Sequence, residues 1–177
     1  MVYDGTTLMQ VYQVPTAQIV KDAVFTFRGV VTNYYGALEI VGNANMPIVL
    51  TASDATAAVL TPEVITTSLS DYIATLPVYP LTEPVDYKYV QVTVKVQVDD
   101  PLLKYETFLV NTDHDGSDIN VIDPANFTYN AFMIYYVTNL DAVRAFDGKE
   151  VTMNIFIFGQ RSDKLINYVS VSYTHLT

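Results

Sequence analysis

The sequence predicts an all-β protein with short helices. Tyrosine (14) and phenylalanine (8) are frequent among its 177 residues, 50% of which are apolar, and aromatic residues are enriched in strands. Residues 89–99 alternate between apolar and polar side chains, which is the period of a strand with one buried face. Asp-Gly pairs at residues 4–5 and 115–116 suit the positive φ angles of tight hairpins. The length fits one or two domains.

Two stretches recur in the same order along the chain, which indicates an internal repeat. Residues 4–12 and 115–122 each begin with Asp-Gly and continue as an alternating apolar run. Residues 22–41 and 147–169 each consist of a predicted strand, a glycine-containing turn and a second strand. The second copy has additional residues between its two stretches.

The second copy contains a complete set of strands around a helix. A helix is predicted over residues 138–148, because Leu140 and Val143 share one helical face and Gly148 can end it. Three strands precede this helix and two follow it, at residues 89–99, 105–111 and 119–122 and, as a pair, within 147–169. Three meandering strands, a helix and two further strands are the plan of the OB-fold, a partly open five-stranded Greek-key barrel.

The fold prediction is therefore one complete OB-like barrel at residues 87–171 plus the C-terminal part of a truncated second OB-like unit at residues 1–51. The truncated unit lacks the two strands that precede the Asp-Gly hairpin in the complete one. We expect Met1 to be an internal start in a longer reading frame. Residues 172–177 lie beyond the last predicted strand and are expected to be a non-native tail.

A linker rich in Pro and Thr is predicted at residues 52–86. Inside it, the helical spacing i, i+3, i+4, i+7 places four apolar residues on one face: Leu69, Tyr72, Ile73 and Leu76. Ser68 can cap this helix and Pro77 stops it, so we expect a short helix over residues 69–76. Its apolar face is expected to pack against the complete module.

Charge and composition exclude several classes of function. Nineteen Asp and Glu against nine Lys and Arg give a net charge of −10, which disfavours nucleic-acid binding because phosphate contacts depend on clustered basic residues. Because there is no cysteine, disulfides, thiolate zinc sites and cysteine nucleophiles are excluded. With two histidines and no nucleophile elbow, we predict that this chain is not an enzyme. Neither a membrane span nor a signal peptide is predicted within these residues.

A candidate ligand-binding platform lies on the polar face of the first strand of the complete module. It consists of Gln91, Thr93 and Lys95, with Tyr105 from the neighbouring strand. OB barrels bind oligonucleotides and oligosaccharides on the face of strands 2 and 3. A sugar is more compatible with the negative charge than a phosphate chain is. The alternative interpretation is an ordinary solvated strand face.

A candidate Ca²⁺ site lies in the acidic turn of the second copy. Asp113, Asp115 and Asp118 could supply the carboxylate oxygens that Ca²⁺ prefers. The run lacks the Glu that an EF-hand loop has at its twelfth position, and the Asp4-Gly5 turn of the first copy lacks the extra carboxylates. These differences favour a plain hairpin turn, and no other cofactor is predicted.

Residues 25–41, combined with an Asp-Gly hairpin, a linker helix and a new valine-alternating strand, resemble tandem OB-fold-like modules of bacterial secreted and surface proteins. Such modules lie beside endonuclease/exonuclease/phosphatase domains in extracellular nucleases, and also occur in lipoproteins. The resemblance covers residues 1–50 and 64–171. Catalysis in that nuclease domain depends on His, Asn and Asp/Glu clusters around a metal, and this chain has no corresponding cluster to which a role can be transferred.

The resemblance implies a non-catalytic accessory or binding module of a larger exported bacterial protein. Its partner would be a polysaccharide, a protein or a neighbouring catalytic domain that the module positions. The implied location is extracellular or at the cell surface. Two alternatives stay open: a single-stranded nucleic-acid-binding OB domain, and a Ca²⁺-stabilised, adhesin-like surface module.

Overall fold

The architecture comes from a computed structural model, which describes residues 1–12, 14, 19–20, 22–34, 37–79, 86–98, 106–110, 131–135, 145–161 and 168–176. Within these residues the chain is mostly strands with very little helix, so the prediction of an all-β protein is confirmed. The strands of the first half are β1 (Val2–Tyr3), β2 (Leu8–Tyr12), β3 (Val24–Thr26), β4 (Val30–Tyr34), β5 (Ala37–Val41), β6 (Thr51–Ser53), β7 (Glu63–Val64) and β8 (Val78–Tyr79). The later strands are β9 (Lys88–Val98), β10 (Glu106–Val110), β11 (Ala131–Tyr135), β12 (Glu150–Arg161) and β13 (Tyr168–Leu176), and the helix α1 is Leu69–Ala74.

The chain divides into two compact units. Unit 1 consists of Met1–Thr61 with Thr82–Tyr87, and unit 2 consists of Pro62–Leu81 with Lys88–Thr177. Residues of the predicted linker, 52–86, thus belong partly to each unit, and its helix belongs to unit 2.

Unit 2 is built on five long strands, each of which pairs with two of the others. The strand β9 pairs antiparallel with β10 through its C-terminal part and with β12 through its N-terminal part. The strand β10 pairs antiparallel with β11, β11 pairs parallel with β13, and β13 pairs antiparallel with β12. Two short strands, β7 beside β9 and β8 beside β12, add parallel pairings.

The core of unit 2 lies between the inward faces of β9 and β12 and the helix α1. Alternate residues of the two strands are almost inaccessible, since Val90, Val94 and Ile155 are each 0% exposed. The whole cluster is Leu69, Tyr72, Ile73, Leu76, Val90, Val92, Val94, Val96, Val151, Met153, Ile155 and Ile157. Fully burying one such side chain contributes about 1.5–3 kcal/mol. Both the valine alternation and the packing of the helix on this unit are confirmed.

The helix α1 begins and ends where local chemistry dictates. The Ser68 hydroxyl accepts a hydrogen bond from the Asp71 backbone N–H at 3.1 Å and donates one to the Asp71 carboxylate at 2.8 Å, which satisfies an otherwise unpaired N–H of the first turn. The helix ends at Ala74, two residues before the predicted end. The physical reason is Pro77, which disfavours the helical conformation at the residue before it.

Unit 1 contains a four-stranded sheet in the order β1-β2-β5-β4 and a separate pairing of β3 with β6. In the sheet, β1 and β2 form an antiparallel hairpin, β2 is parallel to β5, and β5 is antiparallel to β4. The hairpin turns at Gly5, whose φ of +99° is a conformation that glycine adopts without steric strain. The Asp4 carboxylate accepts the backbone N–H groups of Thr6 and Thr7 at 2.8 and 2.7 Å. The predicted Asp-Gly hairpin of the first copy is therefore confirmed.

The second copy differs from the prediction in the segments that the structure describes. The third long strand is Ala131–Tyr135, whereas the predicted third strand, 119–122, lies outside the described residues. Of the predicted helix 138–148, the described part 145–148 is a turn. Gly148 ends it with a φ of +72°, and its N–H donates to the Val96 carbonyl at 2.8 Å.

The last strand runs further than the sequence indicates. The segment 172–177 is predicted to lie beyond it, but β13 continues to Leu176. In this extension Ser172, Tyr173, His175 and Leu176 pair with β12. Tyrosine and threonine favour extended backbone, so this segment can continue the strand. Its non-native origin stays a prediction.

Among the described residues, no helix has the length and apolar character that crossing a membrane requires.

Candidate ligand-binding face on β9 and β12

Polar side chains of β9 lie directly opposite polar side chains of β12. The antiparallel register pairs Gln91 with Asn154 and Thr93 with Thr152. The Gln91 side-chain amide donates to the Asn154 side-chain carbonyl at 3.1 Å, and the two threonine hydroxyls are 2.9 Å apart. Because the inward residues alternate with these ones, the core holds the polar side chains on the opposite surface of the strands.

An aromatic pair continues this row toward the start of β9. The rings of Tyr89 and Phe156 stack with centroids 4.7 Å apart and an interplanar angle of 26°. Both side chains are half-buried. Stacked aromatic pairs contribute about 0.5–1.5 kcal/mol beyond their area burial, so the pair stabilises the register and also presents a flat apolar surface.

At the other end of the row, Lys95 pairs in register with Glu150. We call the complete set the polar face: Tyr89, Gln91, Thr93, Lys95, Glu150, Thr152, Asn154 and Phe156. One formal positive charge and one formal negative charge lie on it, which leaves it formally neutral within a chain of net charge −10.

The predicted platform is partly reproduced in this arrangement. Gln91, Thr93 and Lys95 all lie on the polar face, whereas Tyr105 lies outside the described residues. The partner strand for Gln91 and Thr93 is β12, and among the described residues the pairing of β9 with β10 begins at Lys95. The polar face is thus built by the first and fourth long strands of unit 2, whereas OB barrels bind their ligands on strands 2 and 3.

Sequence reasoning missed the half of this face that β12 contributes. Thr152, Asn154 and Phe156 alternate with the buried residues Met153, Ile155 and Ile157. That alternation is visible in the sequence and identifies these three residues as sharing one outward face. The register that places them against β9 is not visible in the sequence, because it joins residues about sixty positions apart.

The predicted Ca²⁺ ligands Asp113, Asp115 and Asp118 lie outside the described residues. Within the part of the chain that the structure describes, no group of three His, Asp or Glu side chains is placed to hold a metal ion.

A second polar network lies in unit 1. Glu39 is buried, at 7% exposure, and its carboxylate accepts the Gln10 amide at 3.2 Å. The Tyr87 hydroxyl donates to the Gln10 side-chain carbonyl at 2.8 Å. Burial raises the pKa of Glu39 above its ordinary value. The network connects residue 87, at the end of the second segment of unit 1, to β2 and β5.

Comparison with known proteins gives no match to this chain, neither among protein-family models nor among curated proteins nor among solved structures.

The chemistry of the polar face therefore has to be judged from its residues. Amides and hydroxyls both donate and accept hydrogen bonds, so the central pairs suit a ligand rich in hydroxyl groups. The aromatic pair suits the apolar face of a sugar ring. A phosphate chain would instead need a surplus of basic side chains, which the polar face lacks.

Proposed function

We propose that this chain is a non-catalytic binding module that recognises a neutral polysaccharide through the polar face. The observation that carries the proposal is the single row formed by the Tyr89–Phe156 stack, the Gln91–Asn154 hydrogen bond and the Thr93–Thr152 contact. Carbohydrate recognition combines these two elements, an apolar ring surface and adjacent neutral hydrogen-bonding groups.

The proposal includes an OB-like five-stranded barrel for unit 2. Its support is the pairing order β9-β10-β11-β13-β12, together with the additional pairing of β12 with β9. A five-stranded barrel requires each strand to have two neighbours, and a Greek-key order requires a crossover between strands that are not consecutive. The parallel pairing of β11 with β13 is such a crossover. Register shifts within β12–β13 supply the strand bending that barrel closure needs.

A wider role follows from the resemblance of the sequence to tandem modules of exported bacterial proteins. In that role the module belongs to a larger secreted or surface protein, possesses no catalytic residues of its own, and holds a catalytic or anchoring domain near a polysaccharide. A protein partner and single-stranded nucleic acid are the alternatives that a binding experiment has to separate.

The test is a binding screen of the full chain against neutral and acidic polysaccharides and against single-stranded oligonucleotides at low and high salt. We expect binding to a neutral polysaccharide that changes little with salt. Substituting Tyr89→Ala or Gln91→Ala should weaken that binding at least tenfold. The matched control is Gln97→Ala on the same strand, which pairs with β10 rather than β12 and should bind like the parent chain.

Two results would contradict the proposal. Binding to oligonucleotides that weakens steeply with salt would indicate nucleic-acid recognition. Polysaccharide binding that Tyr89→Ala and Gln91→Ala leave unchanged would place the site elsewhere on the molecule.

A further inference from the structure

We infer that unit 1 is a strand acceptor: the edges of β1 and β4 take up one extended peptide strand whose chemistry is that of β9. The inference concerns a surface of unit 1 and is independent of the function proposed for unit 2. It rests on a correspondence between the pairing patterns of the two units, on the exposure of apolar side chains, and on charge.

The two units share four strands in the same arrangement. In unit 1 the order is β1-β2-β5-β4, and in unit 2 the order β10-β11-β13-β12 repeats it. In both sets the first two strands are an antiparallel pair, the second and third are parallel, and the third and fourth are antiparallel. The four strands of unit 1 thus have the same pairing order as four strands of unit 2.

In unit 2 a fifth strand joins the two ends of this order. Residues 88–95 of β9 pair with residues 157–150 of β12. Residues 95–98 of β9 pair with residues 110–107 of β10. In unit 1, among the described residues, β1 and β4 are the two edges of the four-stranded sheet. The three-residue strand β6 pairs with β3, and its side chains are all exposed. Among the described residues, no strand of unit 1 occupies the position equivalent to that of β9.

Large apolar side chains of unit 1, including two on β4, are exposed, as on a sheet face that no further element covers. Among the residues whose side-chain exposure the structure describes, which do not include those of β10, β11 and β13, ten large apolar side chains are exposed, and nine of them belong to unit 1. On β4, Val31 is 62% exposed and Val30 is 37% exposed, whereas the corresponding strand β12 buries alternate residues to 8% or less. Exposed strand edges that carry apolar residues are templates for pairing with another chain.

The charge of unit 1 defines the partner further. The unit contains six carboxylates (Asp4, Asp22, Glu39, Asp54, Glu83 and Asp86) against two basic residues, Lys21 and Arg28. The strand β9 contains two lysines and no acidic residue. A strand with apolar residues at alternate positions and neutral or basic residues between them therefore complements the net charge of unit 1 and repeats the pattern of β9. We commit to such a strand from another polypeptide as the occupant.

The experiment adds a synthetic peptide of residues 88–98 to the full chain. Binding is followed by fluorescence anisotropy of a labelled peptide, and its location by hydrogen exchange. We expect one peptide per chain, with exchange slowed at least tenfold in β1 and β4. A control peptide of the same composition, with its valines placed side by side rather than alternately, should bind at least tenfold more weakly.

Two variants of the chain test the location. Val31→Lys places a positive charge on β4 at a largely exposed position, so the fold tolerates the change, and the charge repels a paired strand that carries lysines. We expect it to weaken peptide binding at least tenfold. Val59→Lys is the matched control, since Val59 is 87% exposed and belongs to none of the strands; it should leave binding within twofold.

Three outcomes would overturn the inference. These are equal binding of the two peptides, peptide binding that Val31→Lys does not weaken, and protection confined to unit 2. A fourth would replace the occupant: if the chain alone sediments as a dimer with β1 and β4 already protected, a second copy of the chain fills the edge.

Discussion

Units 1 and 2 arrange four strands in the same order but differ greatly in the number of buried apolar residues that the structure describes. Unit 2 has a cluster of twelve buried apolar residues, whereas in the described part of unit 1 the buried apolar residues are Leu8, Ile48 and Tyr87. The differing elements are β9 and α1, which together supply seven residues of the cluster. The comparison teaches that hydrogen-bonded strand order does not by itself make a core. A core also needs elements that cover the apolar face of the sheet.

The largest expected effect concerns the core of unit 2. Ile155→Ala removes a side chain that is 0% exposed, and a large-to-small change at such a site costs about 2–5 kcal/mol because a cavity remains. The matched change in unit 1 is Ile48→Ala, where Ile48 is 4% exposed. We expect the free energy of unfolding to fall by about 2 kcal/mol, near the low end of that range, because half-buried neighbours can move into the cavity more easily.

Native-state hydrogen exchange of β12 and of β5 measures the two losses separately, because each strand reports the opening of its own unit. Equal losses in the two units would show that unit 1 is packed as tightly as unit 2. The contrast drawn between the units would then be wrong.

The next prediction tests the packing of unit 1 around Gly29, where the backbone lies close to Ile40. A Cβ atom at Gly29 would overlap Ile40 Cγ2 and lie 3.2 Å from the Val41 carbonyl oxygen. We expect Gly29→Ala to destabilise unit 1 by about 1–3 kcal/mol, the usual cost of overpacking. The measurement is hydrogen exchange in β4 and β5, with β12 as the internal reference.

A second substitution separates steric overlap from other causes. Ile40→Leu removes the branched methyl group that Gly29→Ala would meet, so the double variant should recover part of the lost stability. If the two changes are simply additive, the overlap with Ile40 is not the reason for the destabilisation.

Local features of both units could be predicted from the sequence, and long-range pairings could not. The period-two alternation of β9, the helical spacing of α1 and the Asp4-Gly5 turn each depend on neighbouring residues, and all three predictions are confirmed. The register of Val90 against Ile155 depends on how the chain closes on itself, which no local pattern records. For the same reason, the sequence predicts that Gln91 and Thr93 share one outward face of β9, but it does not predict their partners on β12.

The smallest effect is a pH dependence of unit 1. Burial raises the pKa of Glu39 above 4.5, so folding favours its protonated form. The contribution to stability is therefore fully present below the unfolded pKa and is lost as the pH rises through the elevated folded pKa. We expect unit 1 to lose stability as the pH rises above about 4.5, and Glu39→Gln, which keeps the shape without the charge, to remove this loss.

The Asp4 carboxylate, which is also in unit 1, has a pKa shifted in the opposite direction to that of Glu39. Hydrogen bonds from the Thr7 and Thr6 backbone N–H groups lower its pKa below 3.8. The contribution of Asp4 to folding stability is therefore present above the unfolded pKa and is lost as the pH falls through the folded pKa. Unit 1 should therefore lose stability on both sides of a narrow optimum, and Glu39→Gln should flatten the alkaline side alone. Hydrogen exchange of β2 and β5 across this pH range tests the assignment. A variant that flattened the acidic side instead would mean that the burial of Glu39 does not control the titration.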